Sequence, residues 1–373
     1  MRKILFITTI PLTIKAFFLD YMKFLRAKGY NVQAAGSEGE ESEVIQNQGF
    51  CYHTVQMARN ISPIRDYEAF IGLRSLMKKE KYDLVHTETS KAGLLGRLAA
   101  RAAGVPAIVH TCGGWPFHDF LPRAVRFFYV MLERLAASKC DAIIAVSKKV
   151  EKEAFQFKIA PPEKIFQIYN GIDLKRFYPY DVNEREKLKE TLGVPRGKII
   201  IGCISRFVPD KGIEIFLSAA RKLKDNDSLV FVLGGDGSLK REFERNVSEW
   251  GLKDKVIFTG HIEDTAQYLN TFDIFCLPTL REGFGVIFAE AQACAVSVIA
   301  SDIAPLDEVV KNECTGVLVP AGDADKFAQA IERLLVPEVR EKMGFLARKH
   351  VEEKFNARDI NDKMFNLYSK LWG

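Results

Sequence analysis

The sequence predicts an α/β protein made of two doubly wound, Rossmann-like domains, and three observations carry that expectation. Short apolar runs alternate with amphipathic segments along the chain, the rhythm restarts near residue 198, and a turn-rich stretch divides the two halves. With 373 residues, 47% of them hydrophobic, the chain has enough apolar material for two ordinary cores.

In the first half the strand-like runs are residues 4–7, 32–35, 84–86, 107–109 and 142–146, with helical patterns between them. The same alternation follows in the second half at 198–204, 229–233, 256–258, 274–277 and 298–300. A βα repeat of this kind implies parallel sheets, which bind ligands at the carboxyl ends of their strands. The aromatic-rich segment 15–24 is helical in period and is expected to pack in the core, the alternative being an acceptor-binding or membrane-touching surface. Tyr169-Asn170-Gly171-Ile172-Asp173, followed by Phe177 and Pro179, reads as the connection between a first domain of residues 1–173 and a second of 174–356.

The net charge of +5 is unevenly spread: residues 1–175 carry 25 Lys+Arg against 17 Asp+Glu, and residues 176–373 carry 28 against 31. A basic first half suggests an anionic partner there, such as phospholipid head groups or a lipid diphosphate. Arg59, Arg65, Arg74, Lys78, Lys79 and Lys81 contribute to it. So does segment 121–139, which sets Arg123, Arg126, Arg134 and Lys139 beside Phe127, Phe128, Tyr129 and Met131. As a helix it fits either a solvated face packed on the sheet or a surface that touches anionic membrane. Nucleic acid is not expected, because no basic stripe interleaves with aromatics in a reader pattern.

Seven scattered cysteines without a C-x-x-C pair read as reduced thiols, which implies a cytoplasmic location. The apolar run after Met1-Arg2-Lys3 is too short for a signal peptide, and none is long enough to span a bilayer, so any membrane contact is expected to be peripheral. No Cys/His/Asp cluster has metal-ligand spacing, so no metal or other cofactor is expected. The acidic triplets at 225–227 and 323–325 read as turn or helix caps.

Chemistry concentrates in Arg281-Glu282-Gly283-Phe284-Gly285-Val286-Ile287-Phe288-Ala289-Glu290. Gly283 and Gly285 permit positive φ and close approach to a ligand, and a helix beginning near Val286 would present free N–H groups and a positive dipole end to a phosphate. Two acceptor-only carboxylates on either side suit the hydroxyls of a nucleotide sugar. Taken alone, the same residues also fit an ordinary helix-start acid and an exposed helix acid. Ser205-Arg206-Phe207-Val208-Pro209-Asp210-Lys211-Gly212 puts two cations at a strand end, Arg206 for bidentate contact and Lys211 as a point charge, a pair that can clamp a diphosphate. Gly234-Gly235-Asp236-Gly237 is a tight βα turn through which the backbone at Gly235 could meet a ligand.

These motifs resemble those of the family 4 glycosyltransferases, retaining enzymes of the GT-B fold. The match rests on E-G-F-G-x-x-x-x-E at Glu282–Glu290, R-x4-K-G at Arg206–Gly212 and the N-G-I-D linker. The resemblance implies two Rossmann-like domains facing across a cleft, with a final helix in 357–373 crossing back onto the first. It implies that Glu282 contacts donor-sugar hydroxyls and that Glu290 binds the ribose. Arg206 and Lys211 would neutralise the leaving diphosphate, and the backbone at Phe284, Gly285, Val286 and Gly235 would line the donor site. The implied reaction is transfer of a sugar, with retention and without metal, from a UDP-sugar to a lipid-linked or glycan acceptor.

Two positions depart from the family pattern. Where H-T-x-H-G is usual the chain reads His110-Thr111-Cys112-Gly113-Gly114, and where D-x-V-H-x-H is usual it has Glu88 in place of the second His. Either His118 or Glu88 is expected to fill the space left at Gly113, or the donor needs no contact there; His118 also fits a plain polar loop residue. Two other classes stay open on the sequence: a nucleotide-sugar epimerase of related fold and a noncatalytic nucleotide-sugar-binding subunit.

Overall fold

The computed structural model describes residues 1–58, 60–118 and 121–372, so Arg59 of the basic set lies outside the described residues. The chain divides into two compact units, residues 1–170 with 360–373, and residues 171–359.

In the first unit the strands are β1 (Lys3–Ile7), β2 (Asn31–Gly36), β3 (Cys51–Thr54), β4 (Leu84–Glu88), β5 (Ala107–Cys112), β6 (Ala142–Ala145) and β7 (Ile165–Gln167). They form a parallel sheet in the order β3-β2-β1-β4-β5-β6-β7. The edge strands β3 and β7 were not legible as apolar runs. Only one residue of each is fully buried, as edge strands need little apolar content.

Segment 15–24 forms two helices rather than one, Pro11–Phe17 and Leu19–Ala27, turning at Phe18 with φ −120°. The turn lets the Phe18 ring pack at 5.1 Å from Phe6 and 5.0 Å from His86 while Phe17 stays exposed. Its continuity survives in backbone bonds from Phe18 N to Ile14 O (2.9 Å) and from Met22 N to Phe18 O (2.7 Å). The last helix, Ala357–Leu371, supplies Ile360, Met364, Leu367 and Tyr368 to the same apolar cluster that holds Ile4, Phe6 and Ile144. There the Tyr368 hydroxyl hydrogen-bonds Nδ1 of the buried His86, whose Nε2 meets Thr111 Oγ1 at 2.7 Å. Burial lowers the His86 pKa to about 3, so the ring is neutral.

In the second unit the strands are β8 (Ile199–Ile204), β9 (Leu229–Gly234), β10 (Val256–Gly260), β11 (Ile274–Leu277), β12 (Ser297–Ser301) and β13 (Gly316–Val319). They form a parallel sheet in the order β10-β9-β8-β11-β12-β13. Helix starts carry their own caps: Asp181 and Glu184 make a reciprocal capping box for Val182–Thr191, and Asp323 accepts from Lys326 N at 3.0 Å. In the other acidic triplet, Asn226 Oδ1 accepts from Ser228 N and Asp227 pairs with Lys255.

All seven cysteines are free thiols, and Cys112, Cys140, Cys203, Cys276 and Cys294 are buried. Among the described residues no helix is long and apolar enough to cross a membrane.

Candidate functional site

Each sheet has one place where strand order reverses, between β1 and β4 in the first unit and between β8 and β11 in the second. Doubly wound sheets usually bind ligands at such a reversal, through the loops that leave the carboxyl ends of the two strands. In the second unit those loops are the ones that hold Arg206 and Lys211, after β8, and Glu282, after β11. Residues 71 apart in sequence thus meet: Lys211 Nζ donates to Glu282 Oε1 at 2.6 Å, with the two side chains only 15% and 12% exposed.

The two loops are stitched together. Leu280 N–H donates to the Asp210 carbonyl at 2.8 Å, and the Thr279 hydroxyl donates to the same oxygen at 3.1 Å. Gly212, at φ +64°, lies so near the second loop that a Cβ would fall 1.9 Å from the Pro278 carbonyl oxygen, so no other residue fits. Thr279 was not singled out from the sequence and Gly212 only as the last residue of R-x4-K-G; only a strand order that pairs β8 with β11 reveals that their loops touch.

Arg206 is exposed and makes no ion pair among the described residues. Gly285 has φ +92° and caps the helix Val286–Ala293, whereas Gly283 does not take a positive φ. Val286 opens that helix and is half-buried. The Phe284 side chain turns inward instead, meeting the Phe355 ring edge-on at 5.2 Å, which anchors the loop. Glu290, one turn into the helix, is half-buried; desolvation pushes its carboxyl up to about 7, with the Arg176 cation opposing. Gly235 follows β9, and its N–H is spent on the Gly260 carbonyl at 2.7 Å, so that amide is not open to a ligand. Second-unit residues brought to one crevice are therefore Arg206, Lys211, Glu282 and the start of the helix carrying Glu290. An exposed guanidinium, a buried ion pair and a helix N-terminus suit an anion with hydroxyls attached.

The first unit's crevice is built differently. Thr9, after β1, and Thr89, after β4, join through their hydroxyls at 2.7 Å. Beside them lies a cavity of ≈ 240 Å³ lined by Thr13, Phe17, Glu88, Ser90, Gly113 and Gly114, among others. A Cβ built on Gly113 would meet Glu88 Oε1 at 3.4 Å, so it is the Glu88 carboxyl that stands next to the place a side chain at 113 would take. His118 is half-buried and is not among the residues lining this cavity. Glu133 also lines the cavity and forms a buried pair with Arg97 at 2.7 Å, a contact that sequence spacing of 36 residues did not signal.

The chain matches the family described as Glycosyltransferase Family 4 over residues 16–176 and the one described as Glycosyl transferases group 1 over residues 184–350. The UDP-Gal:alpha-D-GlcNAc-diphosphoundecaprenol alpha-1,3-galactosyltransferase of Escherichia coli is 35% identical over 316 residues, which cover 84% of this chain and 81% of that one. The capsular polysaccharide biosynthesis glycosyltransferase CapM of Staphylococcus aureus is 29% identical, over 93% of this chain and 92% of that one. Among solved structures, Anabaena Alr3699/HepE in complex with UDP and glucose superposes with a TM-score of 0.85 at 21% identity, over 99% of this chain and 100% of that one, a likeness of fold.

Proposed function

The chain belongs to the group 1 glycosyltransferases of family 4 type, with the GT-B fold, and from that premise we propose that it moves a hexosyl or N-acetylhexosaminyl group from a UDP-sugar to a lipid-linked or cell-surface glycan acceptor, with retention. The observation that carries this reading is the pairing of Lys211 with Glu282 across the loops after β8 and β11, with Arg206 exposed on the first of these loops and the Gly285-capped helix following the second. Departure of the diphosphate places negative charge where those groups are. Arg206 binds it through two N–H groups, Lys211 adds a point charge, and the helix N-terminus adds backbone donors. Side-chain cations then do the neutralising, and turnover is expected to survive chelation by EDTA.

Glu290 accepts from ribose hydroxyls and Glu282 from hydroxyls of the sugar; while no donor is bound, Lys211 holds Glu282 in place. Retention without an enzyme-bound sugar follows if the leaving phosphate itself takes the acceptor's proton and the acceptor attacks from the face the phosphate leaves. A trapped glycosyl-enzyme would replace that route with double displacement. The E. coli relative's name makes UDP-galactose the first donor to test and an N-acetylglucosaminyl diphosphate the first acceptor.

A lipid-linked acceptor needs a protein that meets the bilayer. On the helix Arg123–Ala137, Phe127, Phe128, Met131 and Leu135 are exposed, Phe127 by 65%, next to Arg123 and Arg126. Exposed apolar side chains beside cations suit the head-group region of an anionic membrane, where we place this face from a cytoplasmic position. Flotation with phosphatidylglycerol vesicles but not with phosphatidylcholine ones is the expected result, lost in Phe127→Ser.

The deciding experiment is calorimetric titration with UDP, GDP and ADP, followed by UDP release from UDP-galactose with acceptor present. UDP binding with acceptor-dependent release of free UDP supports transfer. Conversion of the sugar without free UDP would be epimerisation, and binding without turnover a noncatalytic role.

A further inference from the structure

Glu88 is the last residue of β4, 8% exposed, and its Oε2 finds no hydrogen-bond partner among the described residues. A buried carboxyl oxygen without a donor is costly, and such a group persists where a ligand completes it. Here the oxygen belongs to a cavity with room for roughly eight waters at their liquid volume. Its walls combine the Phe17 ring and Pro116 with the hydroxyls of Thr13, Thr89 and Ser90. Among the described residues no Lys or Arg lines it, so a phosphate meets no cation from them.

The titratable groups on the surrounding elements leave the cavity without net charge. His86 on β4 and His110 on β5 are both neutral, and His110 Nδ1 donates to the Thr87 carbonyl at 3.1 Å. Burial pushes the Cys112 thiol up, Glu133 is held by Arg97, Lys91 pairs with Asp66 at 2.6 Å, and Lys15 is exposed. An uncharged recess with one aromatic wall, several hydroxyls and an unpartnered carboxyl matches a neutral polyol.

We propose that this cavity takes a hydroxyl of the sugar substrate and that Glu88 is the side chain that binds it there. The inference rests on the transferase reading above. Burial alone raises the Glu88 pKa to about 8, so at neutral pH the group is a carboxylic acid that offers an O–H donor to the sugar oxygen and a carbonyl to its proton. Gly113 leaves room for this arrangement, since a side chain there would press on Glu88 Oε1.

The test follows UDP release from UDP-galactose, with and without N-acetylglucosaminyl diphosphate on a short alkyl chain, in wild type, Glu88→Ala and Glu88→Gln. Glu88→Ala is expected to raise KM by about 10- to 100-fold for the sugar that occupies the cavity. A rise seen already in acceptor-free hydrolysis identifies the donor's sugar, and one seen only with acceptor identifies the acceptor's. Glu88→Gln, which keeps a donor and an acceptor in place, should recover most of the loss. Wild-type kcat/KM should fall above pH about 8 as the O–H is lost, and Glu88→Gln should lack that limb. A direct readout is the infrared band of a protonated carboxyl at pH 7 in the difference spectrum of wild type minus Glu88→Gln, in which the contribution of Glu290 cancels, and it is expected to shift when the sugar substrate is added. Unchanged KM for both substrates in Glu88→Ala, an alkaline limb that persists in Glu88→Gln, or a band that moves with neither sugar overturns the proposal. Titration of wild type with UDP separates the two failures, because it reads the second unit's crevice alone.

Discussion

At the crevice of the second unit stand Arg206, Lys211 and Glu282; at the equivalent place in the first stand Thr9, Thr89 and Glu88. Both crevices come from the same strand-order reversal, yet one is charged and stitched by an ion pair while the other is neutral and held by hydroxyls. Topology therefore fixes where a ligand goes and leaves its chemistry to the loops. A carboxylate near a lysine and a carboxyl among apolar and hydroxyl groups are different reagents, although both are Glu.

The largest effect is expected when Glu88 is made unable to ionise. Its folded pKa of about 8 lies above that of an unfolded carboxyl, so the unfolded chain binds fewer protons and stability falls as pH rises from the unfolded value to about 8. Glu88→Gln removes this penalty. Its stability gain over wild type, read in urea unfolding of the first unit, is expected to grow by on the order of 4 kcal/mol across that window and to level off above it. A gap that does not change with pH would mean that Glu88 titrates as in the unfolded chain and that the first crevice carries a carboxylate at neutral pH.

Next in size is Arg206→Ala, which strips the second crevice of its exposed cation. Turnover is expected to fall about 10²- to 10³-fold with UDP affinity weakened in calorimetry; Arg206→Lys should recover only part of that. Smaller is the coupling of Lys211 with Glu282. Lys211→Met and Glu282→Gln should each lower the melting temperature of the second unit, and the double variant should lose less than the sum, by about 1–2 kcal/mol. Additive losses would show the pair to be incidental. The smallest effect concerns Glu290: because its carboxyl titrates at about 7, UDP affinity should rise up to roughly tenfold from pH 6 to 8 as the carboxylate becomes a pure acceptor for ribose hydroxyls. Glu290→Gln should flatten that dependence.

Much of this arrangement was legible in the residues. The βα rhythm located the central strands within one to three residues, because buried parallel strands are continuous apolar runs. The last helix was expected within 357–373 and is Ala357–Leu371. Strands β3 and β7 escaped because edge strands need few apolar residues, the edge strand β13 escaped although Gly316–Val319 is apolar, and the break at Phe18 escaped because its cause is the distant packing of Phe6 and His86. At the site, Arg206, Lys211 and Glu282 were visible as residue types, but the direct contact of Lys211 with Glu282 is a product of strand order. Glu88 was visible only as a departure from pattern. That it is buried, unpartnered and beside Gly113 depends on how β4 and β5 pair, with Glu88 opposite Thr111.

The hydrogen bond between His86 and Tyr368 joins residues 282 apart, and Tyr368 sits in the same apolar cluster as Phe6. On the ribosome, that places the completion of the first unit after the synthesis of the second: residues 1–170 must wait, with part of their core open, while 171–359 emerge. The unit that begins translation is thus the one that finishes folding last, and it is the one a chaperone would have to shelter.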